Sequence, residues 1–352
     1  MRIAAVGEAF PEHYYDQATI TRCLESIWQD DPAVRSRLSG LHQNVQVAGR
    51  HLALPLERYR RGLTFGEAND AWIDTSLRLG REAIDSALRS AGLGPRDVDA
   101  IFFSTVTGVA SPSLDARLAN VLGFRSDIKR VPMFGLGCVA GAAAVSRAVD
   151  YLLGHPDGVA VVLTVELCSL TLQTDDRSVA NLISVGLFGD GASAAVLVGP
   201  QRAPAYPQAP EVLATRSVFY PDTEEVMGWT VSERGFSIVL SPQVPVVARE
   251  CIPGDLDRFL ADHGRTRAEV GSWVCHPGGP KVIQALADGL GLTPGDLELS
   301  WRTLREKGNL SSASVLLILR ATMVERRPEP GTLGVMLAMG PGFCSELLLL
   351  GW

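Results

Sequence analysis

Three residue types able to handle acyl groups stand far apart in this chain: Cys138 in GLGCVAG, His276 in WVCHPGGP and Asn309 in KGNLSSASV. A thiolate can attack a thioester and hold its acyl group, while an imidazole and a carboxamide can hydrogen-bond an oxyanion. Cys138 follows a glycine turn and opens a run of small apolar residues that reads as a helix. The first amides of a helix lack intrahelical acceptors and its dipole favours negative charge there, which eases the loss of a thiol proton. Cysteine is also a small buried hydrophobe, so position alone leaves packing and chemistry evenly open. GLGCVAG departs from the G-x-G-x-x-G spacing of a dinucleotide loop, and no suitably placed acid follows. His276 comes directly after an apolar strand and before a proline, at the strand tip where α/β proteins tend to place ligands. That raises it above His42, His51 and His155, although a lone histidine is more often structural. Asn309 is a good helix N-cap, a job that Ser311 or Ser312 can share. Taken together, Cys, His and Asn at three element ends point to acyl chemistry.

The elements that position these residues are legible in outline. Residues 65–93 carry Ile73, Leu77, Ile84 and Leu88 at helical spacing and stop at Gly92 and Pro95. The segments 99–106, 158–166 and 193–199 read as strands, as does the start of the chain. The proline-rich stretch 200–210 is the best boundary, giving halves 1–205 and 206–352. The second half repeats the plan with a strand, loop and helix over 272–290, a helix from Asn309, and two closing strands, GTLGVMLAMG and SELLLLGW. The helices expected at 138–153 and 309–324 are apolar nearly all round, and such helices are buried on every face. Their matching positions predict a duplicated α/β unit with the helix pair packed between two sheets.

Composition sets outer limits. The 352 residues are 46% hydrophobic and 20% charged, which fits a globular chain with a large core. A net charge of −7 and a pI of about 5.5 argue against nucleic acid as a partner. No uncharged apolar run reaches the ~18 residues of a membrane span, and MRIAAVGEAFPEHYY does not fit a signal peptide, so the cytoplasm is the expected location. Cys23, Cys138, Cys168, Cys251, Cys275 and Cys344 form no C-x-x-C pair, so reduced thiols are expected rather than a zinc site.

At these residues the chain resembles the type III polyketide synthases, the chalcone-synthase-like branch of the thiolase superfamily. GLGCVAGAAAVSRAVDYL, LFGDGASAAVLVG, VCHPGGPKVI, GNLSSASVLLIL and MGPGF occur in family order. The resemblance implies a thiolase-like α/β fold in αβαβα layers, the first half carrying the nucleophile and the second the histidine and asparagine. Cys138, His276 and Asn309 match the catalytic triad, and Phe188 matches the gatekeeper phenylalanine. Thr107, Thr171 and Ser311 match cavity-lining positions, with Cys168 near them, and Gly340 and Pro341 belong to the loop that shapes the cavity wall. Arg50 and Lys281 are the basic residues expected to meet CoA. The implied reaction loads an acyl-CoA starter on Cys138 and extends it by iterative decarboxylative condensation with malonyl-CoA or a substituted malonyl-CoA. The product is then cyclised to an alkylpyrone, resorcinol or related aromatic. No metal or redox cofactor is implied, and CoA thioesters are the substrates. A homodimer is implied too, with the loop after Val109 near the partner's cavity and Ser111 where the family often has methionine.

Departures refine the expectation. Ile238 stands where plant members have a second phenylalanine, Trp229 replaces a residue that is usually small, and AMGPG replaces GFGPG. MGWTVSERGF and GPGFCSELLLL look closer to the bacterial alkylpyrone and alkylresorcinol branch, which favours an aliphatic acyl-CoA starter. A ketoacyl synthase III-like enzyme using an acyl carrier protein has the same three residue types, but its histidine motif is usually H-Q-A-N rather than HPGG. A non-catalytic thiolase-fold subunit is the remaining alternative, and retention of Phe188 beside the triad argues against it.

Overall fold

A computed structural model describes residues 1–352. Nine strands form one continuous mixed sheet: β1 (Arg2–Ala9), β2 (Ala100–Thr105), β3 (Lys129–Phe134), β4 (Val159–Leu167), β5 (Asp190–Val198), β6 (Glu211–Phe219), β7 (Val270–Cys275), β8 (Leu333–Gly340) and β9 (Cys344–Gly351). Their spatial order is β7-β8-β9-β6-β1-β5-β4-β2-β3. In the first half, β2 and β4 are parallel, whereas β4/β5 and β5/β1 are antiparallel. In the second, β7 and β8 are parallel, whereas β8/β9 and β9/β6 are antiparallel. The same pairing pattern occurs twice, which is the duplication expected from sequence. The halves meet where β1 and β6 pair through Arg2 and Glu211.

Five helices frame the site: α1 (Phe65–Ala91), α2 (Ala140–Gly154), α3 (Val179–Leu187), α4 (Pro280–Leu290) and α5 (Ser312–Glu325). α1 starts at a Thr64/Glu67 capping box and ends at left-handed Gly92, where the sequence placed its end. It covers β1, β4 and β5 from outside with Trp72, Leu79, Ala83 and Leu88 buried. α2 and α5 pack on each other and touch strands of both halves. Every residue from Ala140 to Ser146 and from Ser312 to Leu319 is buried. The two helices are therefore the middle layer, as their all-round apolarity required. The strands they pack against, however, belong to one continuous sheet joined at Arg2 and Glu211 rather than to the two separate sheets expected.

They cross at Gly141. A β-carbon there would lie 2.3 Å from the Ser312 carbonyl oxygen and 2.8 Å from Val315 Cγ1. The helix-propensity gain of alanine over glycine is at most about 1 kcal/mol, whereas overpacking costs about 1–3 kcal/mol. Gly141→Ala is thus expected to lower the urea midpoint of unfolding, and an unchanged or higher midpoint would refute this account of the crossing.

One boundary differs from expectation. The second central helix begins at Ser312, not at Asn309. Asn309 lies in an extended segment that forms a parallel bridge with Phe188, so it is not a helix cap.

Candidate active site

The turn after β3 leads through a single 3-10 turn, Gly137–Val139, into α2, and places Cys138 just ahead of that helix. Its Sγ donates to Ser311 Oγ at 3.6 Å. The Ser311 amide in turn donates to Asn309 Oδ1 at 2.8 Å, and Asn309 Nδ2 donates to the Gly278 carbonyl at 3.3 Å. Gly278 lies in the loop that follows β7, and its amide donates to the His276 carbonyl at 3.1 Å. His276 continues the β7–β8 pairing by one bond, from its amide to Leu337 O at 2.9 Å. A hydrogen-bonded chain thus links Cys138 and Asn309 to the loop that carries His276. All three residues are buried, and both ring nitrogens of His276 lack a partner within the protein.

Phe188 joins this cluster through the backbone. The Asn309 amide donates to Leu187 O and the Gly189 amide to Asn309 O, each at 2.9 Å. Phe188 is the C-cap of α3 and is half-buried. Together with Cys168, Thr171, Trp229 and Ile238 it lines one cavity. Trp229 and Ile238 face each other across the hairpin Met227–Ser232/Gly235–Leu240. The Gly340–Pro341 loop presses on the nucleophile turn: a β-carbon on Gly137 would meet Pro341 Cδ at 2.7 Å.

Electrostatics differ from the simple helix-dipole expectation. Burial pushes the Cys138 thiol up to about 12, opposed by hydrogen bonds from Ser311 and Asn309. Burial likewise pushes the His276 imidazole down to about 3. Each group resists ionising alone.

Two basic residues expected to meet CoA fall in different places. Lys281 is exposed near the start of α4, just after the His276 loop. Arg50 is buried, with its guanidinium turned inward on the Val185 and Gly186 carbonyls and Gln17. It does not present a cation to an entering nucleotide. The arginine-for-CoA reading needs a solvated side chain, whereas these hydrogen bonds hold the guanidinium on the last turn of α3.

Sequence reasoning missed Glu166, which ends the apolar run of β4 and is completely buried. Its carboxylate accepts from Val106 N at 3.1 Å, Thr107 Oγ1 at 3.0 Å and Ser312 Oγ at 2.5 Å. It therefore ties Thr107 to the residue after Ser311. A lone acid closing an otherwise apolar strand was the available signal. Burial raises Glu166 to about 7 against these hydrogen bonds, and raises Asp190 to about 6. An acid with a raised folded-state pKa gives stability that is full below its unfolded value of about 4 and lost as pH rises through the folded one. Glu166→Gln is expected to remove part of the stability loss between pH 5 and 8, on the order of 3 kcal/mol. Urea titrations at both pH values test this; an unchanged pH dependence would rule it out.

A duplicated fold of thiolase type, with a buried thiol at a helix start and hydrogen-bonded amide and imidazole loops, defines a condensing enzyme of acyl thioesters. Residues 1–201 match the family model of the N-terminal domain of chalcone and stilbene synthases, and residues 211–351 that of the C-terminal domain. The chain is 51% identical over 350 residues to a 1,3,6,8-tetrahydroxynaphthalene synthase of Streptomyces peucetius subsp. caesius, covering 99% of this chain and 93% of that protein. It is 34% identical over 358 residues to a 3,5-dihydroxyphenylacetyl-CoA synthase of Streptomyces toyocaensis, covering 100% and 90%. The crystal structure of 1,3,6,8-tetrahydroxynaphthalene synthase from Streptomyces coelicolor A3(2), a bacterial type III polyketide synthase, superposes with a TM-score of 0.93 at 30% identity, covering 100% of this chain and 99% of that one. The chain belongs to the chalcone and stilbene synthase family, the type III polyketide synthases. Its reaction class is acyl transfer by decarboxylative Claisen condensation. No helix is long and apolar enough to cross a membrane.

Proposed function

We propose that Cys138 is the acyl carrier and that His276 and Asn309 hold the malonyl thioester. The observation that supports this most is the hydrogen-bonded chain from Cys138 through Ser311 and Asn309 to the His276 loop. In loading, Cys138 Sγ attacks the thioester carbonyl of the starter while His276 takes the thiol proton. The C–S bond to CoA breaks, and CoA leaves as a thiol with that proton. Malonyl-CoA then enters. Its C–C bond to the carboxylate breaks, CO2 leaves, and the electron pair moves into an enolate. His276 Nε2–H and Asn309 Nδ2–H donate to the thioester oxygen where the charge collects. The enolate carbon attacks the Cys138 thioester, the C–S bond to Cys138 breaks and frees its thiolate, and the extended chain is left on the CoA that carried the malonyl unit, ready to reload. Phe188 gives the malonyl carboxylate an apolar neighbour, which favours its loss. Thr171, Cys168, Trp229 and Ile238 shape the cavity beside Phe188, while Ser311, Gly340 and Pro341 back the Cys138 turn and Thr107 is tied to Glu166. Lys281 remains a candidate for CoA phosphate.

The halves 1–205 and 206–352 divide this work, the first supplying the nucleophile and the second the two donors. Acyl-CoA and malonyl-CoA are the substrates, without a metal or redox cofactor, and the cytoplasm is the site of action. A homodimer fits the exposed edge strand β3, where Val131 and Phe134 face outward, and the exposed Val109 before Ser111. A monomer in sedimentation would overturn that part.

For the product, the identity of 51% to a 1,3,6,8-tetrahydroxynaphthalene synthase supports a polyhydroxynaphthalene, a ring system that malonyl-CoA alone can supply if it also serves as starter. A second reading, an aliphatic starter, is supported by the cavity below Phe188, which runs on to Ile20, Leu24, Leu56 and Leu172. Incubation with malonyl-CoA alone, and then with added acyl-CoAs of graded length, separates the two by product mass. Products formed only from a malonyl-loaded carrier protein would instead favour the ketoacyl synthase III-like enzyme. No product and no CO2, with Cys138 inert to iodoacetamide, would leave a silent subunit.

A further inference from the structure

Arg50 is a large cation, 2% exposed, in a short strand that pairs with His13–Asp16. Its Nη1 donates to Gly186 O at 2.8 Å and to Gln17 Oε1 at 2.5 Å, and its Nη2 donates to Val185 O. Gln17 Nε2 adds a second bond to Gly186 O, at 2.9 Å. These carbonyls belong to the last turn of α3, where acceptors lack intrahelical donors and the dipole favours a cation. The next residues are Leu187, which accepts from the Asn309 amide, and Phe188.

The stem of the same side chain reaches the other side of the bridge. A β-carbon on Gly189 would lie 3.3 Å from Arg50 Cβ, and one on Gly308 would lie 3.5 Å from Arg50 Cδ. Gly189 follows Phe188 and Gly308 precedes Asn309. One residue therefore fastens the helix end that leads to Phe188 and packs along both strands of the Phe188–Asn309 bridge. Arg50 also borders the cavity that Phe188 lines.

We infer that Arg50 is a positioning residue for the malonyl-handling side of the site, holding Phe188 and Asn309 in register through the end of α3. The inference rests on the proposed roles of those two residues. It separates the site into two mechanical parts. Cys138 is carried by its own turn and by α2, and meets the clamped part only through its hydrogen bond to Ser311. Phe188 and Asn309 are set by the clamp. Loosening the clamp should harm decarboxylation while leaving the thiol as reactive as before.

The experiment measures two steps in the full-length protein carrying Arg50→Met, Arg50→Lys or Gln17→Ala. One is the rate of Cys138 alkylation by iodoacetamide, which needs no assumption about the starter. The other is CO2 release from malonyl-CoA, resolved into kcat and KM. For Arg50→Met, kcat for CO2 release is expected to fall about 100-fold, as misplacement of a reacting group by about 1 Å does, with KM and alkylation close to wild type. Arg50→Lys restores part of the loss, since an ammonium reaches one carbonyl but lacks the planar fork. Gln17→Ala, which strands no buried charge, shows the same pattern at about three- to tenfold. If Arg50→Met fails to fold, Gln17→Ala and Arg50→Lys still decide. A parallel fall in alkylation and CO2 release would reduce Arg50 to general stability and overturn the inference. So would a raised KM with unchanged kcat, the mark of a CoA contact, or wild-type kcat in all variants. If the wild-type protein itself releases no CO2, it is the malonyl reading of the site that fails, before any question of the clamp.

Discussion

Cys138→Ala is expected to end polyketide formation while malonyl-CoA is still decarboxylated. The condensation needs a covalent thioester as its electrophile, and no other thiol is placed at the start of α2. Removing a residue that forms the covalent intermediate costs about 10⁴-fold or more in turnover. Loss of CO2 makes a different demand. It needs donors at the malonyl thioester oxygen, and those on His276 and Asn309 stay where they are. Asn309 is held by Ser311 N, by Gly278 O and by its backbone bridge to Phe188, none of which involves the Cys138 side chain. Alanine leaves only a small space in place of Sγ, so the fold should survive. Product mass spectrometry and CO2 release from the same sample check both halves of the expectation. Product at wild-type rates would show that Cys138 is not the carrier. Loss of CO2 release along with product would show that the two steps are not separable in this site.

The parts of this design that depend on local pattern were open to reading. Cys138 and His276 sit at element ends that apolar runs and glycines mark on either side. The duplication was visible because two helices apolar on every face must be covered on every face, and only a middle layer does that. Where the sequence misled, the deciding force came from elsewhere in the chain. Asn309 has the chemistry of an N-cap, yet the bridge to Phe188, some 120 residues earlier, pulls it into extended backbone and leaves Ser311 at the head of the helix. Arg50 looks like a surface cation until the end of α3 is laid across it. The helix-start argument for an acidic Cys138 is sound for an exposed thiol but is outweighed once the group is enclosed. Glu166 shows the same limit from the other side. Its value as the acceptor shared by Thr107 and Ser312 depends on three segments meeting, which no spacing within one segment reveals.

Asn309→Ala should produce the second large effect, and its pattern differs from that of Cys138. Removing one preorganised donor from an oxyanion site costs about 10²–10³ in rate. Here the donor is Nδ2, and the charge it would meet is the enolate oxygen formed as CO2 leaves. CO2 release should therefore fall by that factor, and product with it, because every extension passes through the same enolate. Thiol alkylation should change far less. Asn309 contributes only one of the hydrogen bonds that draw the Cys138 thiol down, so its loss moves the thiol further up without removing the Ser311 contact. Alanine also frees the Ser311 amide from Oδ1, which raises the question whether the loss comes from a missing donor or a shifted Ser311. Asn309→Asp answers it. Aspartate keeps an oxygen for the Ser311 amide but offers a negative charge where the enolate needs a donor, so it should be as slow as alanine or slower. If Asn309→Asp instead recovers most of the CO2 release, Asn309 works by holding Ser311, and the oxyanion role passes to His276 alone.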